Sequence, residues 1–380
     1  MSTTVENTSH RNSTVGRDIP SLDGLRAASI LLVILSHSAW YFPAWVENWL
    51  PFHLIVGNGR KGVVVFFVIS GFLITTLLMR EQERTGTISL ARFYFRRSFR
   101  IFPPFYVFIA VMAVLWIVGF VPEHLPSFIA AATYTWTYYP FAHGYEIAHT
   151  WSLSIEEQFY LFWPLAFLFW HRSQKIVNLA IVLIVIMPIL RLAVYFAAPS
   201  LRGHGTYMLQ EWTDAMMVGC LLALVNSRPG WQQWHRRYVN GWTAAGLAIL
   251  GFFCVPYLGE YLPRTLGKTF ATSIGPSILA LSVGGILIYV VENPKSIAGR
   301  ILNCWPIRHV GVISYSLYLW QQLFMSQDTK LLPWGFLYAI AVAEASFWLV
   351  ERPALRLRNR LEPRFHFGRS AKRARTVKAV

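Results

Sequence analysis

Charge is what this chain has least of. Asp, Glu, Lys and Arg make up 14% of its 380 residues, against 55% hydrophobic and 16% aromatic. A soluble domain carries roughly 25% charged residues, so too few are present to cover two or three water-facing globular domains. Cysteine is nearly missing as well. The three present, Cys220, Cys254 and Cys304, are far apart and form no CxxC or Cys/His cluster, so neither a disulfide framework nor a zinc site is indicated. The first 20 residues are polar with no apolar stretch, which speaks against a cleaved signal peptide. Ten-residue alternation is absent, which excludes a membrane β-barrel. No GxxxxGK[ST] and no strand-borne GxGxxG occurs, which disfavours a kinase, an ATPase or a dinucleotide enzyme. What the chain does have is a series of apolar runs about 20 residues long, the length that spans a bilayer.

These runs predict an all-α, polytopic transmembrane bundle of about ten spans, near 25–43, 62–79, 101–119, 151–170, 176–196, 209–226, 241–258, 270–290, 309–326 and 333–350. Three parts follow: a polar segment (1–19), a membrane domain (20–356) and a basic tail (357–380) expected to be disordered against anionic lipid. The net charge of +16 needs no nucleic-acid partner, because Lys and Arg gather in cytoplasmic loops of membrane proteins. With both termini inside, 27 of the 34 Lys and Arg fall on the inner side and 7 outside, Arg191 among the latter. That bias sets an N-in, C-in orientation.

Ionisable groups within a bilayer are costly, so each one asks for a function. Of eleven histidines, His37 alone lies well inside an expected span, flanked by Ser36 and Ser38. It is either a packing histidine or a proton acceptor. Arg26 precedes it by eleven residues, roughly 16 Å along a helix axis. Arg26 then sits at the inner edge, where it could also simply cap the helix or pair with Asp23, and His37 sits in the outer half. In WSLSIEEQFY, Glu156 and Glu157 open an otherwise apolar helix from the outside, which predicts a depth similar to that of His37. The helix dipole accounts for one acid there better than two. A histidine with a carboxylate beside it is the minimum kit for deprotonating a hydroxyl. The inner loop ARFYFRRSFRIFPP carries Arg92, Arg96, Arg97 and Arg100 among aromatics. Either it obeys the positive-inside bias, or its guanidiniums hold phosphates and a flat base. Gly62 and the Ser70–Gly71 pair read as close helix packing. The aromatic stretch 133–145 reads as an interfacial belt or a platform for sugar rings.

Together these segments resemble acyltransferase family 3, the integral-membrane O-acyltransferases. The carrying residues are LDGLRA with Arg26-x10-His37, GVVVFFVISGFL, RFYFRRSFRIFPP with Arg97-x-x-Arg100, WSLSIEEQFYLFWP, ISYSLYLWQQ and VERPALR, spanning about 20 to 356. The resemblance implies transfer of an acyl group, usually acetyl, from cytoplasmic acyl-CoA to a hydroxyl of an extracytoplasmic or membrane-presented sugar, in the cell inner membrane. It makes His37 the essential histidine and Arg26 its basic partner, and sets Arg97 and Arg100 at the cytoplasmic mouth as donor-binding residues. Many members carry an acid in the glycine-rich segment where this chain has Val64, which shifts weight to Glu156 and Glu157. Many also append a hydrolase-like domain, for which the 30 residues after Val350 leave no room. A macrolide-like glycosylated metabolite as acceptor, a transporter, and a non-catalytic subunit of a polysaccharide export complex are the competing readings.

Overall fold

The computed structural model describes residues 19–139, 144–198, 209–226, 228–327, 331 and 334–365. The polar N-terminal segment, the end of the basic tail and part of the aromatic stretch lie outside the described residues. All regular structure among the described residues is helical. Ten principal helices follow the ten apolar runs: α1 (Leu22–His37), α2 (Arg60–Thr85), α3 (Leu90–Ile117), α4 (Thr150–Trp170), α5 (Lys175–Ala197), α6 (Leu209–Asn226), α7 (Gly241–Tyr261), α8 (Gly275–Glu292), α9 (Ser314–Met325) and α10 (Gly335–Ser346). Five of them, α2, α3, α5, α7 and α8, are long and apolar enough to cross a membrane.

α2 is the hub. In its most apolar stretch 72% of residues are buried, against 11% for α5, whose Val185 and Ile189 face outward. Small residues let neighbours reach it. A Cβ on Gly62 would meet the Ser29 carbonyl of α1, one on Gly71 the Met216 carbonyl of α6, and one on Gly219 the Val68 carbonyl of α2. These are the backbone-to-backbone approaches that glycine permits and any side chain forbids. Ser29 adds a hydroxyl bond to the Gly62 carbonyl across α1 and α2.

Two expectations are corrected here. The arginine-rich stretch is not a loop: α3 begins at Leu90, so the arginines ride its first turns and Pro103 and Pro104 fall inside the helix. Spacing alone does not sort the arginines, since Arg92, Arg96 and Arg100 recur every four residues along one side; their partners do. Arg92 and Arg96 turn to Glu362, beyond the helix Arg352–Leu361, and so tie the described part of the tail to α3. Burial alone would raise the Glu362 carboxyl, but the hydrogen bonds from Arg96 and Arg92 outweigh it and hold it below the usual carboxylate range. The second correction concerns Arg191, which is not an outer-loop cation. It is buried in α5 with all five N–H donors spent, on both oxygens of Asp214 (3.0 and 2.7 Å), Ser277 Oγ (2.6 Å) and the carbonyls of Ser273 and Glu211. A guanidinium so fully satisfied is a clamp across α5, α6 and α8.

Candidate active site

At the end of the bundle where α1 and α3 begin, Arg26, Arg97 and Arg100 converge on one pocket with Ser70, Ser152, Glu156, Tyr160 and Tyr318. Each guanidinium has a reason to be there. The Arg97 guanidinium carbon lies over the Tyr160 ring, 4.3 Å from its centroid. Arg26 is within 3.6 Å of Asp23. Buried Glu351, which accepts from Ser316 Oγ at 3.1 Å, is the countercharge shared by Arg100 and Arg26. Glu156 is fixed by hydroxyls from Ser70 and Tyr160, and Ser70 bonds Tyr160 in turn at 2.7 Å. Glu157 lies beside it, within electrostatic range of Arg97. Asp23 and Glu351 offset Arg26 and Arg100, and Glu156 is held by hydroxyls, so the pocket presents three guanidiniums, the donors that pair bidentately with phosphate oxygens.

His37 is not in this pocket. Its Nδ1 lies 2.8 Å from Gln321 Oε1 of α9, and its ring meets the edge of Tyr145 at 6.1 Å. With the amide oxygen facing Nδ1, that nitrogen carries the proton and Nε2 presents its lone pair. From the pocket's own wall, at Ser152 and Tyr318, a polar column continues through His149 toward His37. Tyr318 Oη bonds Ser152 Oγ (2.5 Å) and the His149 carbonyl (2.9 Å), and the His149 ring meets that of Tyr318 at 5.2 Å. His149 is within electrostatic range of His37 and buried, beside the Gln322 side chain and the Leu319 backbone of α9.

The expected pairing of His37 with Glu156 or Glu157 is therefore not what the structure shows. His149, at the start of α4, is level with His37. Seven residues further, roughly 10 Å along the axis, Glu156 has reached the arginines. An amide, not a carboxylate, orients His37. Sequence reasoning missed Gln321, His149, Tyr318 and Glu351. Gln321 and Gln322 had a usable signal as paired amides inside an apolar run. Ser314, Tyr318, Gln321 and Met325 also share one helical face. Val64 is buried in the wall of a second cavity, away from the column.

A second acid pair lies near His37. Glu123, in the connection after α3, and Glu146, beside Tyr145, are both buried. Glu146 accepts from Ser326 Oγ at 2.8 Å and Glu123 from the Ile147 amide at 3.1 Å. Burial, together with the neighbouring Glu146, pushes the Glu123 carboxyl up to about 8. An acid raised on folding favours the folded state while it keeps its proton. That stability is complete below the unfolded value near 4.5 and is lost as pH rises through about 8. Thermal unfolding in detergent is expected to show Tm falling from pH 5 to about pH 8, with the slope flattened in Glu123→Gln.

The sequence profile of the acyltransferase domain family matches residues 19–350. Among curated relatives, the peptidoglycan O-acetyltransferase OatA of Listeria monocytogenes is 28% identical over 367 residues, covering 88% of this chain and 55% of the relative. The O-acetyltransferase OatA of Staphylococcus aureus is 28% identical over 322 residues, covering 80% of this chain and 50% of the relative. The chain thus spans about half the length of the curated relatives it matches. No solved structure matches it. With the profile running through the arginine pocket, the column and His37, the chain belongs to the acyltransferase 3 family.

Proposed function

We propose that this chain is a membrane O-acyltransferase that moves an acetyl group from cytoplasmic acetyl-CoA to a hydroxyl of a cell-envelope sugar presented on the outer side. The observation that carries the reading is the convergence of Arg26, Arg97 and Arg100 on one pocket, joined to His37 by the Ser152–Tyr318–His149 column. The excess of Lys and Arg on one side supports a ten-span, N-in and C-in bundle in the inner membrane, with the arginine pocket inside and His37 toward the outside. The relatives named for acetylating peptidoglycan support a glycan acceptor.

In this reading the CoA phosphates pair with Arg97, Arg100 and Arg26, and the pantetheine arm follows the column toward His37. His37 Nε2 takes the proton from the acceptor hydroxyl as its oxygen attacks the thioester carbonyl. The C–S bond breaks, and the CoA thiolate leaves and is protonated. Gln321 holds the tautomer, the duty a carboxylate has in a Ser-His-Asp triad. Glu156, bonded by Ser70 and Tyr160, belongs to the donor end, where it fixes the Tyr160 ring under Arg97.

The test is release of free CoA from acetyl-CoA by the purified protein, with and without cell-envelope glycans. Glycan-dependent release supports acyl transfer, and glycan-independent background alone contradicts it. Gln321→Leu is expected to lower kcat by about tenfold with the acetyl-CoA KM unchanged, because one orienting hydrogen bond is worth about 1 kcal/mol or slightly more. Gln321→Glu, which keeps an acceptor for Nδ1–H, is expected to restore most of it.

A further inference from the structure

A cavity of about 260 Å³ lies at the His37 end of the bundle, outside the column just described. Its walls are the first turn of α2, the start of α6, the π-helical turn and end of α7, Thr272 and the start of α8. Only a thin partition separates it from His37. Gly57 and Asn58 form its rim, and the next residue, Gly59, backs directly onto the histidine. A Cβ on Gly59 would sit 3.9 Å from His37 Nε2 and 3.2 Å from Ser36 Oγ. The wall there is bare backbone, on the side of the imidazole that carries the lone pair.

The lining offers donors and acceptors in balance. Lys61 has three N–H donors and spends them on the carbonyls of Leu54 and Ile55, which leaves one. Asn58 uses its oxygen on the Arg60 amide and keeps its NH2. Thr272 donates only to its own helix, at Lys268 and Thr269, and keeps its lone pairs. Glu211 brings a carboxylate to the same space, and Glu260 pairs with His53 at 3.0 Å on the rim. Glu211 and Glu260 face Arg60 and Lys61, and Arg191, also in the wall, is spent on Asp214, so neither a polyanion nor a polycation is selected. Val64, Val255, Pro256 and Leu279 supply an apolar floor. A floor for an apolar ring face, with donors and acceptors around the edge, suits a pyranose. The volume lies just below the roughly 300 Å³ at which small-molecule sites begin, enough for one ring and not for two.

We infer that this cavity is the acceptor subsite and that it holds a single uncharged or N-acetylated hexopyranose, with one hydroxyl directed past Gly59 to His37 Nε2. This rests on the acyl-transfer reading for its function but not for its occupancy, and the experiment separates the two. The full chain in lipid nanodiscs is photolabelled with a diazirine-bearing N-acetylglucosamine glycoside, with unlabelled N-acetylglucosamine oligomer as competitor. Competed labelling is expected within 53–61 and 255–276. Competed labelling confined to other segments, or none, would overturn the assignment.

Two variants carry the kinetic arm. Thr272→Phe fills the cavity from a half-buried position, and Glu211→Gln removes a charge at nearly constant shape. Each is expected to raise the acceptor KM by about tenfold or more, the cost of one or two lost contacts, with the acetyl-CoA KM unchanged. Labelling of the cavity in a protein that acetylates no glycan defeats the transfer reading and upholds the cavity. Wild-type transfer with an unmoved acceptor KM in both variants defeats the cavity and leaves the transfer reading standing.

Discussion

His37→Ala is expected to lower glycan-dependent acetyl transfer by about 10²–10⁴-fold, the contribution of a positioned general base. The loss should fall on kcat and leave the acetyl-CoA KM near its wild-type value, because the arginine pocket lies a column's length away. The substitution should not unfold the protein. His37 is only partly buried, and its described partners are the Gln321 amide and the edge of Tyr145. A monodisperse His37→Ala with wild-type turnover would return His37 to a packing role, and with it the orienting role of Gln321.

The double change Arg97→Ala, Arg100→Ala is expected to act at the other end of the column. A hydrogen bond to a charged group contributes about 1.5–3 kcal/mol, so the acetyl-CoA KM should rise roughly 100-fold or more with two guanidiniums gone. The wild-type KM should also climb with salt, and the variant's should climb less, since screening has less charge to act on. Arg92 and Arg96 provide the internal control. Both are committed to Glu362 and neither lines the pocket, so Arg92→Ala is expected to leave the acetyl-CoA KM unchanged. A positive-inside loop with no ligand would respond alike at all four positions. Arg100→Lys is the better single variant if the double fails to fold, because it preserves a countercharge for buried Glu351.

Helices and their close contacts were legible because each rests on a local rule. Apolar runs of bilayer length became α2, α3, α5, α7 and α8, and the glycines at 62 and 71 mark where α1 and α6 press on α2. Depth was harder to read. The apolar run holding Glu156 predicts the start of α4 correctly but implies that this start lies at the outer surface. Glu146, Ile147 and His149 are all buried, so α4 begins already inside the protein and carries Glu156 down to the arginines. Periodicity gives no access to such an offset, because it depends on how an irregular segment folds inward. The partner of His37 was hidden for a related reason: Gln321 lies 284 residues away, and nothing in either local pattern selects the other. The two roles within the arginine stretch depend on distant partners, Glu362 for Arg92 and Arg96 and Tyr160 for Arg97, which helical spacing does not select.

Sidedness is the most direct test of donor and acceptor meeting from opposite ends of one bundle. The measurement is acetylation of a soluble cell-envelope glycan by sealed proteoliposomes of known orientation, with acetyl-CoA confined to one side. Transfer is expected only when acetyl-CoA is on the face bearing Arg97 and Arg100 and the glycan is on the other. Equal transfer with both substrates on the same side, or with the sides exchanged, would contradict a thioester delivered along the column from the arginine pocket to an acceptor at His37.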